Sequence, residues 1–231
     1  QNSMPYDFFP TQKPYLKHKT LQIRNSGNDA QIYGDFGGRI KDAALQQVVM
    51  TSGLYLDCQA YQPVMHYING KYMGVINMRE PNNKHYVYAN YGLDDDEIDQ
   101  FEMCADSGYV QKCGTKERFN QWYELAKHAS DPDTYLQIKE RVDIDAFINY
   151  MAVELYLGGD DWPHNNIKGW CPRTEGGKWK FILFDLDHAF NSSTPISRLY
   201  NERKHTCASL YGIDGDGNDI TGQQQTKEIE I

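Results

Sequence analysis

Residues 158–170, "GGDDWPHNNIKGW", crowd two aspartates, two asparagines, a tryptophan and a proline into one short loop. A second acidic stretch, "FDLDHAF" over residues 184–190, sets Asp185 and Asp187 at the end of an apolar run. Asn166 follows Asp161 at the fifth position, and Asp185 comes later in the chain. A carboxylate that orients an attacking hydroxyl, then an amide and a second carboxylate that hold Mg²⁺ on nucleotide phosphates, is the set phosphoryl transfer needs. Mg²⁺ takes hard oxygen ligands and keeps several waters, so few protein ligands suffice. Read alone, the loop is equally an Asp/Asn turn that caps its own backbone. Acids closing an apolar strand tip the balance towards a metal or substrate site.

Those residues need elements to hold them. "KTLQIRN" (19–25) alternates as a strand does, and "NSGND" (25–29) is a turn. Ile40, Ala44, Leu45, Val48 and Val49 recur at helical spacing over 39–50, with Gly53 as a stop. Residues 63–80 form a hairpin around Asn69-Gly70, since both turn positions tolerate positive φ. "NYGLDDDEID" reads as a polar connector with a helix starting near Asp95 or Asp96. Further helices are expected at 115–129, 133–141 and 143–157. The last is capped by Asp143, buries Phe147, Met151 and Leu155, and ends at Gly158-Gly159. "KWKFILFDLD" (178–187) is a buried strand, and the chain beyond Asn191 is polar and loop-like.

The fold class is therefore α+β in two lobes. An irregular segment spans 1–18, a small β-rich lobe with one helix spans 19–94, and a mainly helical lobe spans 95–231 and carries both acidic stretches. At 231 residues with 40% hydrophobic content the chain can bury a sizeable core. A net charge of −9 disfavours nonspecific nucleic-acid binding, and no nucleic-acid partner is expected. No apolar run is long enough to span a membrane. The N-terminal residues lack the pattern of a signal peptide. Five cysteines show no zinc spacing; Cys104 and Cys113 could bridge a loop in an oxidising compartment.

"HYINGKYMGVINMRE", "DWPHNN" and "KWKFILFDLDHAF", in this order, resemble the spore coat protein H (CotH) kinase family. "LQIRNSGND" and the acid-bearing helix at 39–50 are similar to its Bacteroidetes-type members. The resemblance, from about Lys19 to Phe190, implies an atypical protein-kinase-like fold. It implies ATP and Mg as cofactors and a protein substrate with a hydroxyl acceptor. By it Asp161 is the catalytic acid, Asn166 the metal-binding amide and Asp185 the metal aspartate, while Asp187 is an acid that either supports those ligands from behind or binds a second metal. Asp160 with Asn165 is the fallback if the register slips by one. An extracellular or envelope location and a chain that is part of a longer domain are implied as well.

A kinase also needs a cation on the phosphates, braced by an acid on the first helix. Arg24 and Lys19 on the first strand are candidates for the cation and Asp42 for the acid, and Glu80 could face the nucleotide. An arginine in a usual lysine role departs from the pattern. Trp162 and Trp179 read as packing. "GDFGG" (34–38) precedes the catalytic loop and is a turn rather than a metal motif. "DGDGND" (214–219) has Asp219 and Gln225 where a calcium loop needs Gly and Glu. Two rivals stay open. One is an inactive pseudokinase-like surface or adhesion module. The weaker is a haloacid-dehalogenase-type DxD phosphatase, for which too little chain follows Phe190.

Overall fold

The computed structural model describes residues 3–30, 37–159, 161–163 and 165–190. In chain order its elements are β1 (Gln22–Arg24), α1 (Lys41–Thr51), β2 (Asp57–Cys58), β3 (Tyr61–Ile68), β4 (Lys71–Arg79), α2 (Lys84–Tyr91), β5 (Ile98–Cys104), β6 (Gly108–Cys113), α3 (Glu117–Ala126), α4 (Pro132–Lys139), α5 (Ile144–Leu157), β7 (Ile167–Pro172) and β8 (Lys180–Leu183). The arrangement is α+β.

β4 is the middle of a three-stranded antiparallel sheet between β1 and β3. The turn from β3 to β4 places Asn69 at φ 50° and Gly70 at φ 79°, the double left-handed geometry a two-residue hairpin requires. A second sheet of five strands runs β2-β8-β7-β5-β6, parallel only between β2 and β8. One core holds Phe101, Phe119, Trp122, Tyr150, Trp179 and Phe181, with α3 and α5 contributing to it. A smaller one joins Tyr86 and Val87 of α2 to Ile98, Trp170 and Ile182. The buried Asp57 carboxylate accepts from Trp170 Nε1 at 2.8 Å and Tyr91 Oη at 2.5 Å, which locks α2 to the sheet.

Several expectations from the sequence are corrected. No helix starts near Asp95; the chain turns there, with Glu97 N donating to Asp94 O, and enters β5. β5 lies between β7 and β6, and Ile98 to Phe101 are all buried, so the alternation that marks a half-buried strand is missing. The segment from residue 95 onward thus supplies four of the five strands of the larger sheet beside its helices. The segment 19–94 carries two helices, α1 and α2, and sends β2 into that larger sheet.

α1 forms where expected, but its inward face is Asp42, Ala43, Gln46 and Val49, while Ile40 and Val48 are exposed. It faces a polar seam through Asp42 and Gln46, while Val49, Leu45 and Met50 pack on the aromatic core. In α5 the buried positions are Ala146, Tyr150, Val153, Glu154 and Leu157; Phe147, Met151 and Leu155 pack partly exposed at its flank. Cys104 lies opposite Gly108 and Cys113 opposite Gln100, at opposite ends of the β5–β6 hairpin. Four residues of strand, about 13 Å, separate them, too far for a disulfide. Both are free thiols. "DGDGND", most of "GDFGG" and the polar stretch beyond Asn191 lie outside the described residues.

α1 has no side-chain cap of its own; Asp29 supplies one from outside. Its carboxylate accepts from Gly38 N at 2.9 Å and from Ile40 N and Lys41 N at 2.8 Å each. Asp29→Ala should leave three partly buried N–H groups without a partner and cost about 1–3 kcal/mol. Urea unfolding of the two forms measures it, and a difference below about 0.5 kcal/mol would show that water replaces the cap.

Candidate functional site

The site grows from two short turns that face each other. The first, Ser26 to Asp29, follows β1; Gly27 sits there at φ +56°, and a Cβ at this position would collide with the Asp187 carboxylate and the Arg24 guanidinium. The second, Leu186–His188, follows β8. Asp185 enters it in the left-handed region at φ 61°, swinging its side chain towards β1. Asn28 N donates to Asp187 Oδ2 at 2.7 Å and ties the turns together. Arg24 lies between them, with its Nη2 on Asp185 Oδ1 and 3.2 Å from Asp187 Oδ2.

α1 brings the third acid. Asp42 is buried and binds Arg79 Nη1 of β4, while Arg24 Nε lies 3.7 Å away. Its other oxygen accepts from Gln46 Nε2 at 2.9 Å and Leu186 N at 3.1 Å. Burial pushes the Asp42 carboxyl up, but Arg79, Gln46 and Arg24 together hold it below its ordinary value. Burial pushes Asp185 and Asp187 up and prevails there, against the opposing pull of Arg24. Arg24 is itself raised: burial lowers it, and the three carboxylates overcome that.

The loop after α5 supplies the rest. Trp162 is buried and donates from Nε1 to Tyr150 Oη at 2.9 Å, anchoring the loop to the aromatic core. Trp179 is buried in the same core. Asn166, at φ 59°, donates from Nδ2 to Asp161 Oδ2. Asn165 is used elsewhere: it accepts from Ala105 N at 3.2 Å and fixes the loop to the β5–β6 turn. The Asp161 register thus has its amide partner in place, and Asp160 lies outside the described residues.

Of the eight residues singled out from the sequence, Arg24, Asp42, Asp185 and Asp187 are brought together through these contacts, Asp161 lies beside Asp187, and Asn166 is held by Asp161. Lys19 and Glu80 are not. Lys19 pairs with Asp94 and sits 3.6 Å from the Tyr88 ring centroid, beside α2. Glu80 is fully buried, bound by Lys13 Nζ at 2.5 Å and by Ala60 N and Asn90 Nδ2 at 2.9 Å each, so it is a structural clasp. A charged residue at a strand end reads the same from sequence whether it faces a cleft or a buried lysine.

Three residues were missed. Arg79 is 1% exposed, with Nε and Nη2 unpartnered, and holds Asp42. Its only signal was its place in "NMRE". Lys168 is buried 3.3 Å from Glu102 Oε1, 3.2 Å from Asn82 Oδ1 and 4.7 Å from the Phe184 ring centroid; burial lowers its pKa and Glu102 opposes that. His188 adjoins Asp187 in the acidic stretch, which was a legible signal.

Asp187 Oδ1 is buried without a hydrogen-bond partner. One ligand atom each from Asp161, Asp187 and His188 lies within 4.8 Å of the others. An orphaned carboxylate oxygen in such a cluster fits a divalent cation, with Asn166 held against Asp161.

Asp42→Ala removes the countercharge of a buried arginine and should destabilise the fold by about 3–5 kcal/mol. Because the Asp42 pKa is lowered on folding, its contribution is present above the ordinary carboxylate pKa and lost as pH falls through the depressed value. The gap between wild type and Asp42→Asn should therefore narrow at acid pH, as read from denaturant midpoints. A gap that stays constant through that range would show the ion pair to be energetically silent.

No curated protein matches the chain. The family model for CotH kinase protein matches residues 11–226, which include both turns, both sheets and the loop after α5. With that match over nearly the whole chain, the protein belongs to the CotH kinase family.

Proposed function

We propose that the chain is an atypical protein kinase that transfers the terminal phosphate of ATP to a protein Ser, Thr or Tyr hydroxyl. The observation that carries the reading is the meeting of Asp161, with Asn166 bonded to it, and Asp187 at one end of the larger sheet. Family membership supports kinase-like chemistry and divalent-metal use in general.

Asp187, Asp185 and Asn166 would hold the cation, which offsets phosphate charge when bound. Asp161 would orient the acceptor hydroxyl and take its proton as the new P–O bond forms and ADP leaves. Trp162 pins the loop to Tyr150, so the carboxylate is held in place before substrate arrives. Arg24 would face the phosphates, and Asp42 and Arg79 would brace it from behind.

One observation favours a binding-only reading. The Arg24 guanidinium is engaged by Asp185, Asp187 and Asp42, so a nucleotide must draw it off those acids. Asp161→Asn keeps size and hydrogen bonding and should lower phosphate transfer by about 10²–10⁴-fold while nucleotide affinity holds. Transfer from labelled ATP and nucleotide calorimetry measure the two quantities. Equal rates would make Asp161 structural. Nucleotide binding with no transfer by either form would establish the pseudokinase reading.

A further inference from the structure

We infer that His188 is a metal ligand, and that the site it forms with Asp187, with Asp161 beside it, selects a first-row divalent transition cation over Mg²⁺. The inference deepens the proposed phosphotransfer reading by naming its metal class, but binding of the cation itself can be read without any phosphate transfer.

Three observations carry it. The ligand atoms of Asp161, Asp187 and His188 lie mutually within 4.8 Å, from two separate segments of the chain. Ligands on one octahedral ion with bonds of about 2.1 Å sit roughly 3 Å apart when cis and roughly 4 Å when trans, so only a small closure is needed. Asp187 Oδ2 is already taken by Asn28 N and Arg24, whereas Oδ1 is buried and unpartnered. A buried carboxylate oxygen with no donor is costly unless something fills the gap. Finally, His188 is consecutive with Asp187 on one 3₁₀ turn, which Leu186 N pins to Asp42. The imidazole and the carboxylate are thereby carried on one braced turn.

The donor set decides the metal. Two carboxylates alone suit Mg²⁺, Ca²⁺ or Mn²⁺. An imidazole nitrogen is a poor ligand for Mg²⁺, which demands hard oxygens and sheds water reluctantly. It favours the first-row divalent ions, among which Mn²⁺ still accepts the two carboxylates.

The test uses the full chain without nucleotide, with Mn²⁺ as probe and Mg²⁺ as competitor. Mn²⁺ should bind at least about tenfold tighter than Mg²⁺, the shift expected from one well-placed ligand. Pulsed electron paramagnetic resonance should show nitrogen coupling from a bound imidazole. His188→Gln should remove the coupling and bring the two affinities together, with circular dichroism checking the fold; His188→Asn serves if the glutamine form is unstable. Mn²⁺ bound no tighter than Mg²⁺, absence of nitrogen coupling in the wild type, or coupling that persists in the folded variant would each overturn the inference. Imidazole-bound Mn²⁺ with no phosphate transfer would leave the inference standing and remove only the kinase reading. Transfer with Mg²⁺ and no imidazole coupling would do the reverse.

Discussion

The Asp42 carboxylate is the point on which the molecule turns. It is buried, and it meets Arg79 from the middle strand of the small sheet, Gln46 from its own helix and the backbone of Leu186 beyond β8. Each partner comes from a different element, so one side chain sets the distance between helix, small sheet and acidic turn. A buried ion pair adds little net stability by itself, but breaking it is expensive, which makes its geometry hard to alter. From Asp42 the polar seam continues. Gln46 Oε1 accepts from Gln59 N at 2.7 Å, and Gln59 Nε2 donates to Glu80 O at 2.5 Å.

Charge balance explains why such a seam ends at a metal-competent cluster. Asp42, Asp161, Asp185 and Asp187 are four carboxylates, and Arg24 and Arg79 are two guanidinium groups. Arg79 is spent on Asp42, and Arg24 is shared among three acids. The remaining deficit of positive charge falls on the turn after β8, where burial holds both aspartates above their ordinary values. A cation bound there would restore the balance, because it meets a buried oxygen that no protein donor serves.

How far the sequence was legible follows from what surrounds each element. The β3–β4 hairpin was plain because Asn69-Gly70 is a local signal that no tertiary contact has to complete. α5 showed its cap at Asp143, which does accept from Ala146 N. β5 was hidden because a strand covered on both faces has no period. The inner face of α1 was hidden because Asp42 and Gln46 are polar residues buried for the sake of the seam. In the site, Asp161, Asn166 and Asp185 stood out by type and spacing. Glu80 and Arg79 are neighbours in sequence, and both are buried charges. Only the partner each meets, Lys13 for one and Asp42 for the other, separates clasp from site.

The pairing of β2 with β8 bears on the order in which the chain assembles. Asp57 and Cys58 form a parallel edge with Ile182 and Leu183, and the contact from Asp42 to Leu186 spans 144 residues of sequence. Arg24 reaches Asp185 across 161. Contacts of such separation close late, since loop entropy must be overcome before they return any stabilisation. During synthesis the first turn, α1 and the hairpin can form early and Asp42 can meet Arg79, 37 residues on, while Arg24 waits for Asp185 and Asp187 to emerge. The acidic turn is therefore the keystone of the fold in time as well as in space, and the Arg24 charge that awaits it depends on solvent until it arrives.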